Sequence, residues 1–207
     1  MTDPEAFWDR MAHGYAKAQI RDMTSYDQTM ARTRTHLSPG DKALELGCGT
    51  GTTALRLADA VEHLTATDIS SEMIAIAQGK ALRQGVENVA FGHASIADSG
   101  ETGGPFDVVM GFNLLPLIDE LPTALASIRS SVKPGGLFIS KSGCLAEKSF
   151  YLRPVIALMQ LFGKAPYVAN LKIRTLEGLI TDAGFEIIDT HTYPGIIANR
   201  FIVARRI

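Results

Sequence analysis

Between Ala43 and Ala58 the chain reads ALELGCGTGTTALRLA, with Glu45 two residues ahead of three glycines at alternate positions, Gly47, Gly49 and Gly51. Glycine bends sharply and lets another molecule lie against the backbone, so three in five residues, set between an apolar run and a helix-like one, describe a cradle. Asp68 closes the next apolar run, HLTATD. A lone carboxylate there can accept both hydroxyls of a ribose, and hydrogen bonds to a charged acceptor contribute roughly 1.5–3 kcal/mol each. Two classes of nucleotide-derived ligand compete for such a pair. Dinucleotide sites use G-x-G-x-x-G and seat a pyrophosphate on the following helix, whereas here the spacing is E-x-G-x-G-x-G and Thr52 follows Gly51. That favours a nucleoside without a pyrophosphate.

The elements around the loop alternate. Strand KALELG leads to a helix from Thr52 to about Ala60, strand HLTATD to helix SEMIAIAQGKALRQG, and strand NVAFGHAS to the loop ADSGETGGP. Strand FDVVMGF, a helix around ELPTALASIRSSV, the turn KPGG and strand LFISKS follow. Short apolar runs separated by helices predict a parallel sheet covered on both faces, a doubly wound α/β domain. In such a sheet a glycine-rich first turn lies at the carboxyl end of the strands, where ligands bind. After Ser142 come an apolar segment, FYLRPVIALMQLFG, a helix RTLEGLITDAG, and two β-like runs, FEIIDTHTY and RFIVARRI, expected as an antiparallel pair at one sheet edge. The first 36 or so residues predict one or two helices, with Tyr26, Met30, Thr33 and Leu37 at helical spacing before SPGD stops the second.

Length and composition set the outer limits. A chain of 207 residues, 46% hydrophobic and 20% charged, suits one ordinary globular domain. A formal charge of −2 gives no global attraction for nucleic acid. Cys48 and Cys144 form no C-x-x-C unit, so neither a disulfide framework nor a metal site is signalled. Unpaired cysteines, and an acidic, aromatic N-terminus where a secretory signal has a basic start, give the cytoplasm as the expected location.

LELGCGTGTTALRLA, with Asp68 ending the second strand, resembles motifs I and II of the class I S-adenosylmethionine-dependent methyltransferases. FDVVMGFNLLPLID is similar to that family's fourth strand and the segment after it, VKPGGLFIS to the turn into its fifth strand, and LEGLITDAGFEII to its C-terminal helix and sixth strand. The resemblance covers residues 40–207 in order and is closest to the small-molecule enzymes of the ubiquinone and menaquinone type. It implies a Rossmann-like fold with a mostly parallel seven-stranded sheet and an antiparallel C-terminal strand. It also implies one domain over residues 1–207, with 1–38 as a helical cap carrying Trp8 and Tyr15 and 143–172 as an inserted apolar helical segment.

The resemblance implies S-adenosylmethionine as cofactor and a small, partly hydrophobic acceptor, with no nucleic acid, no metal and no transmembrane segment. Homodimerisation and peripheral membrane contact stay open. For the cofactor it implies Glu45, Gly47, Cys48, Gly49, Gly51, Asp68, Ile69, Ser95, Ile96 and Phe112. Glu45 would orient the loop or the methionine ammonium, or is simply ion-paired. Ser95 stands where relatives have an aspartate facing the adenine amino group, with the Ile96 N–H for the ring nitrogen; His93 takes that place if the register shifts by two. Asn113 to Leu117 would border the acceptor, and Pro116 and Leu117 replace histidines found in many relatives, so no catalytic base is assigned. Tyr15, His13 and His191 are the remaining candidates. The absence of an N/D-P-P-[YF] signature speaks against transfer to an amide or adenine nitrogen. FYLRPVIALMQLFGKAPYV is expected to wall the acceptor. A binding module without turnover is the alternative function, and a nucleotide-cofactor dehydrogenase a more remote one.

Overall fold

The short runs expected as strands become strands, and the helices between them cover the faces of the resulting sheet. The computed structural model describes residues 3–98, 102–148 and 152–207. Strands β1 (Lys42–Leu46), β2 (His63–Asp68), β3 (Val89–His93), β4 (Phe106–Phe112), β5 (Val132–Cys144), β6 (Phe185–Tyr193) and β7 (Ala198–Arg206) form one sheet in the order β3-β2-β1-β4-β5-β7-β6. β1 to β5 pair in parallel, and β7 runs antiparallel between β5 and β6. The KPGG turn expected before the fifth strand lies inside β5, where Gly135 takes a φ of +76° and the pairing with β4 shifts between Phe106 and Val108.

The helices are α1 (Pro4–Lys17), α2 (Met23–Arg34), α3 (Thr52–Leu57), α4 (Ser71–Gln84), α5 (Leu121–Ser131), α6 (Leu145–Lys148), α7 (Arg153–Leu161) and α8 (Ile173–Asp182). Leu44 and Leu46 of β1 join Leu125 and Ile128 of α5 and Leu176 and Ile180 of α8 in one apolar layer. Ala43 faces the other way, into a layer with Met30 of α2, Leu57 of α3 and Ile74 of α4. Two layers on two sides of a parallel sheet are the doubly wound arrangement. Strand order reverses between β1 and β4, so the crevice expected of such a sheet opens at the carboxyl ends of those strands.

α2 ends at Arg34, short of Leu37, which packs against the second layer from outside the helix. Ser70 caps α4 by accepting the Met73 N–H at 3.1 Å, and Gly85 closes it with a φ of +66°. These two residues fix where the chain leaves β2 and where it returns to β3.

Candidate functional site

The turn from β1 into α3 is left-handed at all three glycines, with φ of +64°, +53° and +72° at Gly47, Gly49 and Gly51. What a side chain would meet differs at each. A Cβ at Gly51 would lie 2.8 Å from the Ala77 Cβ and from the Phe91 ring, and one at Gly47 would lie 2.7 Å from Leu114 Cδ1. At Gly49 the nearest atom is Tyr15 Cε1 at 3.8 Å. Gly51 therefore lets α4 and β3 close against the loop, Gly47 lets Leu114 approach, and Gly49 faces open space.

That space is a cleft of about 640 Å³, within the usual size of small-molecule sites. Of the residues expected at the cofactor, Gly47, Gly49, Asp68, Ile69, Ser95, Ile96 and Phe112 line it. Glu45, Cys48 and Gly51 do not. Cys48 is buried, and its thiol is held well above the ordinary range by burial and by the charges of Glu45 and Asp68. It supplies backbone to the turn: its N–H donates to the Thr67 carbonyl, and its own carbonyl accepts the Gly51 N–H.

Asp68 sits at the end of β2 and is 9% exposed. Oδ2 accepts the Gly49 N–H at 2.8 Å and Oδ1 accepts the Ser70 N–H at 2.9 Å. A carboxylate has about four lone-pair directions, so each oxygen keeps one for a ligand. Burial raises its pKa, and the two N–H groups partly offset that.

Glu45 is 2% exposed, and its Oε2 has no hydrogen-bond partner among the described residues. Burial, and then the charge of Asp68, push its pKa up to about 8. A buried carboxylate oxygen with no donor is costly, and a cationic group arriving in the adjacent cleft would relieve it. The raised pKa also has a stability consequence. Between the ordinary carboxylate range and about pH 8 the folded chain holds a proton that the unfolded chain has released, so this group's contribution to stability falls as pH rises through that window. Glu45→Gln is expected to flatten the decline in melting temperature between pH 6 and pH 8.5, measured by calorimetry without ligand; an unchanged slope removes Glu45 as its source.

Ser95 lines the cleft, but its N–H and its hydroxyl both donate to Asp98 Oδ2, at 3.1 and 2.6 Å. Its oxygen is left as an acceptor only, which still suits an amino group. His93 does not line the cleft; its Nε2 lies 2.8 Å from the Ile69 carbonyl and 3.2 Å from Glu5. Among the candidate bases, His13 is exposed near Glu72, and His191 packs on Tyr193, away from the cleft. Tyr15 lines it, but burial and the nearby carboxylates Asp68 and Glu45 raise its pKa, so it remains a hydroxyl donor.

Pro4, Trp8 and Tyr15 border the cleft from α1, and Asn113, Leu114 and Leu117 border it from the segment after β4. Asn113 is strained, with a φ of +58°, and its N–H donates to the Lys141 carbonyl at 2.7 Å. Thr123 and Ser127 of α5 also line the cleft, and sequence reasoning passed over them. Two hydroxyls four residues apart on one face of the helix were the available signal.

The apolar segment expected over the acceptor stands elsewhere. Phe150 and Tyr151 lie outside the described residues, and Val155, Ile156, Leu158, Met159, Leu161 and Phe162 do not line the cleft. Its wall comes instead from Leu114, Leu117, Ile118 and Ala124.

Residues 43–136 match a family described as "Methyltransferase domain". The chain is 27% identical over 161 residues to a ubiquinone biosynthesis O-methyltransferase of Methylobacterium nodulans, covering 75% of this chain and 63% of that protein's length. It is 27% identical over 191 residues to a demethylmenaquinone methyltransferase of Alkalihalophilus pseudofirmus, covering 82% and 80%. Its fold matches that of magnesium protoporphyrin IX methyltransferase from Synechocystis PCC 6803, solved with bound SAH, with a TM-score of 0.72 at 21% identity over 98% and 93% of the two chains. The open backbone at Gly49, the free lone pairs of Asp68 and the unpartnered Glu45 oxygen fit S-adenosylmethionine, the cofactor of these enzymes. Residues 43–136 thus carry a methyltransferase domain, and the fold around them is that of the S-adenosylmethionine-dependent methyltransferases.

Proposed function

We propose that this protein transfers a methyl group from S-adenosylmethionine to a small, partly hydrophobic acceptor. The single observation that carries the reading is the cleft itself. Its floor is an open glycine backbone beside a carboxylate with two free lone pairs, and its far side sets Leu114, Leu117, Ile118 and Ala124 beside the polar groups of Asp119, Glu120, Thr123 and Ser127. When bound, the sulfonium supplies an activated methyl and its own leaving group. Asp68 accepts the ribose hydroxyls, the backbone at Gly47 and Gly49 receives the methionine tail, and Ile69 and Ile96 enclose the adenine with Ser95 accepting from its amino group. Phe112 borders the methionine portion. Glu45, behind the turn, is held neutral by burial, and a cationic group in the cleft would favour its ionised form. Cys48 and Gly51 act through the shape of the turn. With these groups fixing the donor, Asn113, Leu114 and Leu117 would border the acceptor and orient it toward the methyl, and alignment alone can supply much of the rate. The names of the relatives favour a quinol or phenol as acceptor.

Calorimetry is expected to show micromolar binding of S-adenosylmethionine and none of NADH. Incubation with a short-chain polyprenyl phenol is then expected to release S-adenosylhomocysteine. Binding without release over a panel of phenols and quinols would favour the module without turnover, and NADH binding would favour the dehydrogenase.

The displaced apolar segment supports a second proposal, that α7 rests on an anionic membrane surface. Val155, Leu158, Met159 and Phe162 are exposed and lie at helical spacing on one face. Between Glu147 and Glu177 the only charges are Lys148, Arg153, Lys164, Lys172 and Arg174, all basic, in a chain of net negative charge. An apolar stripe flanked only by bases complements anionic headgroups. No helix among the described residues is long and apolar enough to cross a membrane. The protein is expected to sediment with phosphatidylglycerol vesicles, less so with phosphatidylcholine, and Leu158→Ser with Phe162→Ser should abolish it. No sedimentation overturns the proposal, as does a solution dimer that this double variant splits. The two unbridged cysteines support the cytoplasmic side as the location.

A further inference from the structure

We propose that Asp9 latches α1 over the cofactor half of the cleft, and that the latch is wired through Ser70 to the carboxylate beneath it. Asp9 Oδ1 accepts the Ser70 hydroxyl at 2.6 Å and faces the Glu72 N–H at 3.3 Å. Ser70 is fully buried, and its N–H donates to Asp68 Oδ1 at 2.9 Å. The other oxygen of Asp68 holds the Gly49 N–H at 2.8 Å. One unbroken run of hydrogen bonds thus joins the glycine turn, the carboxylate, the N-cap of α4 and the helix that roofs the cleft.

A second strut lands on the same three residues. His93 Nε2 lies 2.8 Å from the Ile69 carbonyl and 3.2 Å from Glu5 Oε1 on α1. Apolar packing on this helix is confined to a few side chains, Phe7 and Ala12 being its only buried residues. The link onward, residues 17–24, is exposed throughout. A helix with few buried contacts and an exposed connection belongs to the low-stability part of a fold, and here its position depends on polar ties. Those ties end on the Asp68-Ile69-Ser70 segment, which the cofactor's ribose and adenine would press into place. Occupancy of the cleft and closure of α1 therefore favour one another. Asp9 is a positioning residue in this scheme, acting through Ser70.

The proposal rests on the cofactor reading above, and the chain supplies its own reporter, because Trp8 is its only tryptophan and lines the cleft from α1. Stopped-flow mixing of the full chain with S-adenosylmethionine, followed by displacement with S-adenosylhomocysteine, gives the release rate from Trp8 emission. Asp9→Ala is expected to release the cofactor roughly tenfold faster, the scale of one hydrogen bond to a charged group, with the melting temperature little changed. Asp9→Asn keeps an oxygen for the Ser70 hydroxyl and should restore most of the slow release. Wild-type release from folded Asp9→Ala, or Asp9→Asn releasing as fast as Asp9→Ala, overturns the latch. If Asp9→Ala fails to fold, hydrogen exchange on the wild-type protein decides: amides of α1 should slow when S-adenosylmethionine is added, and unchanged exchange overturns the latch. A wild-type protein that does not bind S-adenosylmethionine at all overturns the cofactor reading itself and the latch with it.

Discussion

Asp68→Ala is expected to weaken S-adenosylmethionine binding by ten- to a hundredfold, about 1.5–3 kcal/mol for the lost charged hydrogen bonds. The substitution does two things at once. It removes the lone pairs offered to a ribose, and it leaves the Gly49 and Ser70 N–H groups without their acceptor. Buried N–H groups without partners cost about 1–3 kcal/mol each, so some loss of stability should accompany the loss of affinity. Asp68→Asn separates the two effects, since its amide oxygen can keep one of the backbone donors while the charge is gone. Calorimetric titration of both variants is the measurement. Unchanged affinity in folded Asp68→Ala would take Asp68 out of the site.

The glycine turn gives the second large effect, and its three positions should respond differently. Gly51→Ala meets the Ala77 Cβ and the Phe91 ring at 2.8 Å on top of a φ of +72°. Left-handed strain of roughly 1–2 kcal/mol and overpacking of about 1–3 kcal/mol add to a fold destabilised by about 2–5 kcal/mol, which lowers the melting temperature by roughly 10 °C in a chain of this size. Gly49→Ala meets nothing closer than Tyr15 at 3.8 Å, so only the backbone strain is felt by the fold. Its methyl instead enters the ligand's space. Thermal melts should therefore single out Gly51→Ala and cofactor titration Gly49→Ala. The reverse pattern would mean that the ligand lies against Gly51.

Which parts could be read from residue order follows from how local their causes are. E-x-G-x-G-x-G announces a left-handed turn because the requirement for glycine is met or broken at each position by itself. Asp68 is legible for a similar reason, standing at the end of an apolar run of the right length. Gly51 reads as a ligand contact in the sequence because nothing nearby reveals that Ala77 and Phe91, brought by α4 and β3, occupy the space beside it. Ser95 was placed at the cleft, but its bond to Asp98 depends on how the loop after β3 folds. The place of the apolar segment after β5 is not legible in the sequence, because composition tells how much surface wants covering and not which neighbour covers it. Asp9 carried no signal, since an acidic residue in the middle of a helix is ordinary until Ser70 is found opposite it.

The position of β7 has a consequence for the order in which the molecule can be made. β6 precedes β7 in the chain, yet it reaches the sheet only by pairing with β7, which lies between it and β5. On a ribosome, β1 to β5 can assemble as they emerge, cradle and carboxylate included, while β6 waits with nothing to join. The sheet closes when β7 inserts, which satisfies both neighbours in one event. Until then Phe201 and Val203 are missing from the layer that α2 covers, and the open edge of β5 offers unpaired backbone to any extended chain nearby. A nascent chain arrested at that point is the form most prone to aggregate, and a trigger for chaperone capture would be sought there.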